Sequence, residues 1–220
     1  MHRHDESERL RRSIKENNLF LVRRILARIG DMRNTDPGHG RYTSLAWAAV
    51  CAHEEIYGYL LGCGHDDDEL SRDAENNTIL ILLAGLPLDY LNPNHMPSPR
   101  NEQAEGSAIR MAQAYYQRFP FLIDWSNVQG KTALHVAALK GNDDFARMLC
   151  DLDADFDLPD VEGNTPLHYA SAWGHIPIVQ LLIERGCQFA AKNNEGFTAS
   201  DYAYSLVISL LPQFSCAQSA

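Results

Sequence analysis

Three stretches of the chain are near-copies of one another at a fixed step. "GKTALHVAALKGND" begins at Gly130, "GNTPLHYASAWGHI" at Gly163 and "GFTASDYAYS" at Gly196, so the numbering advances equally from each copy to the next. This period constrains the fold more tightly than composition does. A unit of that length cannot bury both of its faces alone, so the copies must stack, and stability becomes a sum of repeat and interface terms.

Within one copy the residue types follow from backbone needs. Thr165 and Pro166 open a short helix: the hydroxyl caps free amides, and proline in the first turn loses no hydrogen bond. Leu167, Ala170 and Ser171 are small or apolar where neighbouring units approach closely. Gly174 ends that helix by taking the left-handed conformation. Ile178, Val179, Leu182 and Ile183 then form the apolar stripe of a second helix.

A T-P-L-H-x-A motif recurring at this step resembles the ankyrin-repeat family. The resemblance implies an all-α fold, a solenoid of about six helix-turn-helix repeats joined by hairpin loops. It also implies that His135 and His168, at the motif's histidine, hydrogen-bond backbone around those loops. A metal-binding or general-base role would need converging ligands, whereas this spacing distributes the histidines along the stack. His53 and His175 are read the same way, as architecture.

Earlier copies emerge once the register is known. "YTSLAWAAVCAHEEIYGYLLGCGHD" aligns Thr43 with Thr165 and Gly64 with Gly186, and "NTILILLAG" places Thr78 in the same slot of the next copy. The step from Thr78 to Thr132 is longer than one period by well over half a repeat. The excess is assigned to residues 86–107, a proline-rich surface loop inserted between the two helices of the third repeat. "RLRRSIKENNLFLVRRILARIGD" supplies a first repeat without its hairpin motif. The expected layout is a frayed N-terminus over 1–8, a repeat domain over 9–211 and a C-terminal tail over 212–220, the last helix ending near Pro212.

Departures from the motif carry expectations of their own. Asp153 stands where glycine is expected, and aspartate tolerates the left-handed region at some cost. Ala46 and Ile81 occupy the histidine slots of the second and third repeats, so fewer hairpin-bridging hydrogen bonds are expected there. Ser200 and Asp201 replace leucine and histidine in the last copy, as an outward-facing cap requires.

Bulk properties exclude several classes. The formal charge of −10 argues against a broad phosphate-binding surface. The basic cluster Arg9, Arg11, Arg12, Arg23, Arg24 and Arg28 reads as the solvated faces of two short helices. The N-terminus lacks the apolar core of a secretory signal, and no apolar run is long enough to span a bilayer. The five cysteines are scattered without a C-x-x-C pair, which suggests neither disulfides nor zinc and fits a reducing compartment such as the cytosol. The acidic run Asp66, Asp67, Asp68 and Glu69 lacks calcium-loop spacing and is expected to be solvated and to cap the following helix. No phosphate-cradling glycine loop and no nucleophile elbow is present. No catalytic, metal or cofactor residue is assigned.

The N-terminal half resembles a narrower family, the fungal ankyrin subunits of target-of-rapamycin complex two. The matching residues are Arg9 to Arg11, Glu16 to Leu19, Gly64 to Asp66, Glu69–Leu70 and Asn77–Thr78. That family's long serine-rich tail has no counterpart here. The resemblance implies a non-catalytic accessory subunit that docks near a Rictor-like scaffold. It further implies a cytoplasmic location, reaching the plasma membrane peripherally through partners, without nucleic acid and without direct membrane insertion. The alternative is a stand-alone ankyrin inhibitor, or an assembly chaperone of the proteasome-chaperone type. The protein-binding candidates are the hairpin tips and exposed first-helix positions: Trp47, Gln129, Lys131, Lys140, Glu162, Tyr169, Trp173 and Phe197, with Cys51 and Val136 in equivalent slots. Tyr169 and Trp173 are expected to anchor the partner and Lys140 to lie at the rim.

Overall fold

The structure, a computed structural model, describes residues 2–29, 33–36, 38, 40–86 and 99–203, with side chains except at 2–5 and 99–105. The regular secondary structure of the described residues is helical. Two isolated antiparallel bridges, Arg72 with Thr78 and Lys192 with Thr198, are the remnant of hairpin pairing, and no strand occurs among the described residues. The chain forms two compact units, residues 1–128 and 129–220.

The first unit holds three helix pairs. They are α1 (His2–Lys15) with α2 (Leu19–Leu26), α3 (Ser44–Val50) with α4 (Glu54–Gly62), and α5 (Ile79–Ala84) with α6 (Pro99–Arg118). First helices pack on first helices and second on second, α1 on α3 on α5 and α2 on α4 on α6. Leu10, Ile14, Leu45, Ile56, Leu60, Leu80, Leu83 and Met111 are sealed between them. A single 3-10 turn, Pro120–Leu122, follows α6.

The second unit repeats the scheme with α7 (Ala133–Lys140), α8 (Asp143–Asp151), α9 (Pro166–Ala172), α10 (Ile176–Glu184) and α11 (Ala199–Tyr202). Ile178, Val179 and Leu182 are buried as the stripe requires, and Ile183 is half-buried. Gly174 is left-handed at φ 71°, and Asp153 takes φ 61° in the glycine slot. Position 141 favours glycine twice over: its φ is 75°, and a Cβ there would lie 2.6 Å from the His175 ring.

Three expectations are corrected. Residues 2–8, expected to fray, are helical in the structure and open α1. Arg12 and Lys15 in its last turn suit the helix dipole, and Glu8 reaches Arg12 at 3.8 Å. The insertion at 86–107 is not a loop to its end, because α6 already runs from Pro99. Proline costs nothing at a first helical position, and the helix formers after it extend the helix through Ser107. Residues 87–98 of the insertion, and the ending expected near Pro212 with the 212–220 tail, lie outside the described residues.

The third correction concerns the acidic run. No helix follows it directly, and Asp66 is buried rather than solvated, at 1% exposure. Its carboxylate accepts from the Ser71 amide at 2.9 Å, the Ser71 hydroxyl at 2.6 Å and the Tyr115 hydroxyl at 2.6 Å, and pairs with His65 Nδ1 at 2.7 Å. The Arg33 guanidinium stands 3.9 Å away and donates to the carbonyls of Glu69 and Leu70. Burial pushes the carboxyl up, yet hydrogen bonds from His65, Ser71 and Tyr115 together hold it below its ordinary value. Asp67, Asp68 and Glu69 are exposed as expected, with Asp67 paired with Arg118 of α6. The physical reason is loop closure: the segment between α4 and α5 must bury its backbone turns, and a carboxylate with four partners can meet that need.

Candidate functional site

Three hairpin loops are built on Asx turns five residues before the motif threonines Thr78, Thr165 and Thr198. Asp73 Oδ1 accepts the amides of Glu75 and Asn77; Asp160 Oδ1 accepts those of Glu162 and Asn164; Asn193 Oδ1 accepts those of Glu195 and Phe197. A short polar side chain replaces backbone pairing here, which is why these positions are Asp or Asn.

The motif histidines join loop to helix. His135 is fully buried; its Nδ1 accepts from the Thr132 amide at 3.2 Å and its Nε2 meets the Asn164 carbonyl at 3.1 Å. His168 does the same with the Thr165 amide at 3.1 Å and the Phe197 carbonyl at 3.2 Å. Burial depresses both imidazoles, His135 to about 4. Asp201, in the same slot of the sixth repeat, accepts from the Thr198 amide and hydroxyl at 2.7 Å, keeping the helix cap. Ala46 and Ile81 have no ring to bridge with; their amides meet Thr43 and Thr78 hydroxyls only. These histidines are architecture. Among the described residues no group of three His, Cys, Asp or Glu is placed to hold a metal.

With the histidines accounted for, the exposed side chains define the candidate surface. In the second unit, Tyr169 on α9 is half-buried. Its hydroxyl donates to Asp160 at 2.6 Å, the Lys131 ammonium lies 4.9 Å from its ring, and its edge meets His135 at 6.2 Å between centroids. Burial and the Asp160 carboxylate raise its phenol well above the ordinary range. Glu162, Asn164, His168, Tyr169, Ala172 and Tyr202 line one open cavity of about 210 Å³. Phe197, 47% exposed, rests against Tyr202 at 5.8 Å, and Trp173 stands 63% exposed at the end of α9.

The structure thus brings Lys131, Glu162 and Tyr169 together, with Phe197 joined to them through Tyr202. Gln129 sits at the hairpin tip, its carbonyl accepting from Val161 at 3.0 Å, and Lys140 is exposed in the last turn of α7. Val136 is half-buried. Tyr202 was not among the expected residues. It lies one full period after Tyr169, in the same slot, so the period itself was the signal.

Trp47 belongs to the first unit and has a different setting. Its ring is half-buried, with the Lys15 ammonium 3.6 Å from its centroid and the Tyr42 ring edge-on at 5.1 Å. That ring covers the neighbouring repeat. Cys51, at the end of the same helix, is half-buried, and burial raises its thiol.

Comparison with known proteins agrees with this architecture. Residues 108–205 match the family described as ankyrin repeats, three copies. The chain is also 30% identical over 158 residues to the target of rapamycin complex 2 subunit AVO2 of Saccharomyces cerevisiae, across 66% of this chain and 37% of that protein. The chain therefore spans little more than a third of that relative's length. No helix among the described residues is long and apolar enough to cross a membrane. Stacked repeats of this kind present extended surfaces to other proteins, and the module is one for protein interaction. From its fixed repeat period, its histidine-bridged hairpins and these matches, the chain is an ankyrin-repeat protein.

Proposed function

We propose that the chain is a non-catalytic adaptor, an accessory subunit of a target-of-rapamycin complex 2 that docks on a Rictor-like scaffold. Its 30% identity to a subunit of that complex over 158 residues carries the reading. In this reading the docking face lies on the second unit, with Trp173, Tyr169 and Phe197 as anchors and Lys131 and Lys140 beside them. Large rings standing in water at 63% and 47% exposure gain most by being covered, and Trp and Tyr dominate the energetics of protein contacts. The location is cytoplasmic, with plasma-membrane contact made through partners.

The test is affinity purification of the tagged full chain from cells that express it, read by mass spectrometry. The kinase and its scaffold should co-purify. Recovery of proteasomal ATPases instead would favour the assembly-chaperone alternative, and recovery of neither would overturn the adaptor assignment.

A further inference from the structure

Charge is distributed unevenly along this chain. Residues 1–29 hold eight Lys and Arg against four Asp and Glu, whereas the rest of the chain holds 11 against 25. The excess is focused in space. Arg9 of α1, with Arg24 of α2 and Arg28 in the turn that follows α2, lines a single cavity of about 100 Å³ completed by Glu6, Leu21 and Ile25. Arg12, Arg110, Arg118 and Arg185 each hold a carboxylate. Among the described residues, Arg9, Arg24 and Arg28 hold none, and Glu6 makes no ion pair with them. Three guanidiniums sharing a concavity repel one another, and the low-dielectric wall of Leu21 and Ile25 sharpens the positive potential there.

We propose that this cavity binds a phosphate monoester carried by a partner protein, a phosphorylated serine, threonine or tyrosine side chain. The three arginines and Glu6 leave two positive charges, matching the roughly −1.5 to −2 of a phosphorylated residue. Guanidinium forks suit tetrahedral oxygens, and arginine clusters are the recurring means of reading phosphorylated segments. A bilayer or a nucleic acid fits less well. Both present extended anionic surfaces, which the 11-against-25 balance of the remaining chain repels, whereas the cavity admits one compact group. The site lies in the first unit and does not depend on the docking face assigned to the second.

Fluorescence anisotropy on the full chain tests this with three labelled Ala/Gly peptides, carrying phosphoserine, phosphotyrosine or unmodified serine. Phosphatidylcholine–phosphatidylserine vesicles form a fourth arm. A phosphorylated peptide should bind at least about tenfold more tightly than the unmodified one, and the variant R24Q/R28Q should lose about tenfold. R12Q should bind as wild type. Affinity should weaken with salt and as pH falls below about 6, where the phosphate takes its second proton. Equal binding of modified and unmodified peptides overturns the proposal, as does an undiminished R24Q/R28Q. Vesicle binding lost in R24Q/R28Q, without phosphopeptide binding, overturns it in favour of a membrane site. Should R24Q/R28Q melt early, the wild-type arginine Nε–Hε resonances decide under phosphoserine peptide: shifts at Arg9, Arg24 and Arg28 support the site, and their absence rejects it.

Discussion

His135 Nε2 lies 3.1 Å from the carbonyl oxygen of Asn164, 29 residues further along the chain. At the other end of the ring, Nδ1 faces the Thr132 amide, which can only donate, so Nδ1 accepts and the proton sits on Nε2. One neutral imidazole thus closes a helix N-terminus in one repeat and fastens the hairpin of the next. His168 does the same between Thr165 and Phe197.

Removing these rings leaves buried groups without partners. His135→Ala strips both the Thr132 amide and the Asn164 carbonyl and should lower stability by about 2 kcal/mol; His168→Ala, nearer solvent, should cost about 1 kcal/mol. Urea melts of each variant measure this. An unchanged midpoint for His135→Ala is incompatible with the bridging role.

The same bond pattern makes stability depend on pH. His135 titrates at about 4 when folded, against an ordinary 6.5, because burial disfavours the cation. Its protonation would also set an Nδ1–H against the Thr132 N–H. Between these values the unfolded chain binds the proton and the folded chain does not, so stability rises with pH. The contribution is present above 6.5 and is lost as pH falls towards 4, up to about 3 kcal/mol. His168, depressed by burial, acts in the same direction. Asp66, held below its ordinary 3.8, adds its loss only at lower pH. Chemical melts between pH 7 and 4.5 should show the decline, and His135→Gln should flatten it.

Much of this was legible in the sequence, and for a physical reason. A repeat displays each backbone requirement several times, so Thr165, His168, Gly174 and even the left-handed Asp153 could be read by slot. What failed lay where the repeat is broken or unshared. The Asp66 network uses Arg33, His65, Ser71 and Tyr115, residues without equivalents in the other copies, so no period announced it. The start of α6 was masked by a local rule: prolines marked a loop, although Pro99 is placed where proline opens a helix. At the candidate surface, Trp47 is covered by Lys15 and Tyr42, contacts that slot counting cannot supply.

Asp66 should be among the costliest single positions in the first unit. Asn in its place turns an amide N–H₂ towards donors from Ser71 and Tyr115 and removes the charge that Arg33 faces. Asp66→Asn should lose about 2–4 kcal/mol, and Asp67→Asn, whose partner Arg118 is solvent-exposed, far less. Guanidinium melts of the pair check the contrast; similar losses for both would show that the buried network contributes little.

Two backbone positions predict changes of opposite sign. Gly141→Ala forces a Cβ to within 2.6 Å of the His175 ring at φ 75° and should cost about 1–2 kcal/mol. Asp153→Gly relieves a side chain held at φ 61° and should gain up to about 1 kcal/mol, partly offset by greater freedom of the unfolded chain. Thermal melts give both signs directly, and a stabilised Gly141→Ala would contradict the close packing of the fourth and fifth repeats.

The docking face needs variants that remove contact without disturbing the fold, and the geometry separates suitable residues from unsuitable ones. Tyr169 is a poor probe. Its hydroxyl is tied to the hairpin carboxylate of Asp160, and its ring lies against His135 and under Lys131, so Tyr169→Ala would loosen two repeats at once. Trp173 is mostly in water and Phe197 about half, and truncation of Trp173 should move the melting midpoint little, within about 0.5 kcal/mol. If they anchor a scaffold protein, Trp173→Ala should weaken binding by about 2 kcal/mol, roughly thirtyfold, and the double variant with Phe197→Ala further. Tyr169→Phe keeps the ring and loses only the hydroxyl, so it should bind nearly as wild type. The measurement is co-purification with the complex followed by titration against the recovered scaffold. Binding undiminished in the double variant, at unchanged stability, would exclude this face.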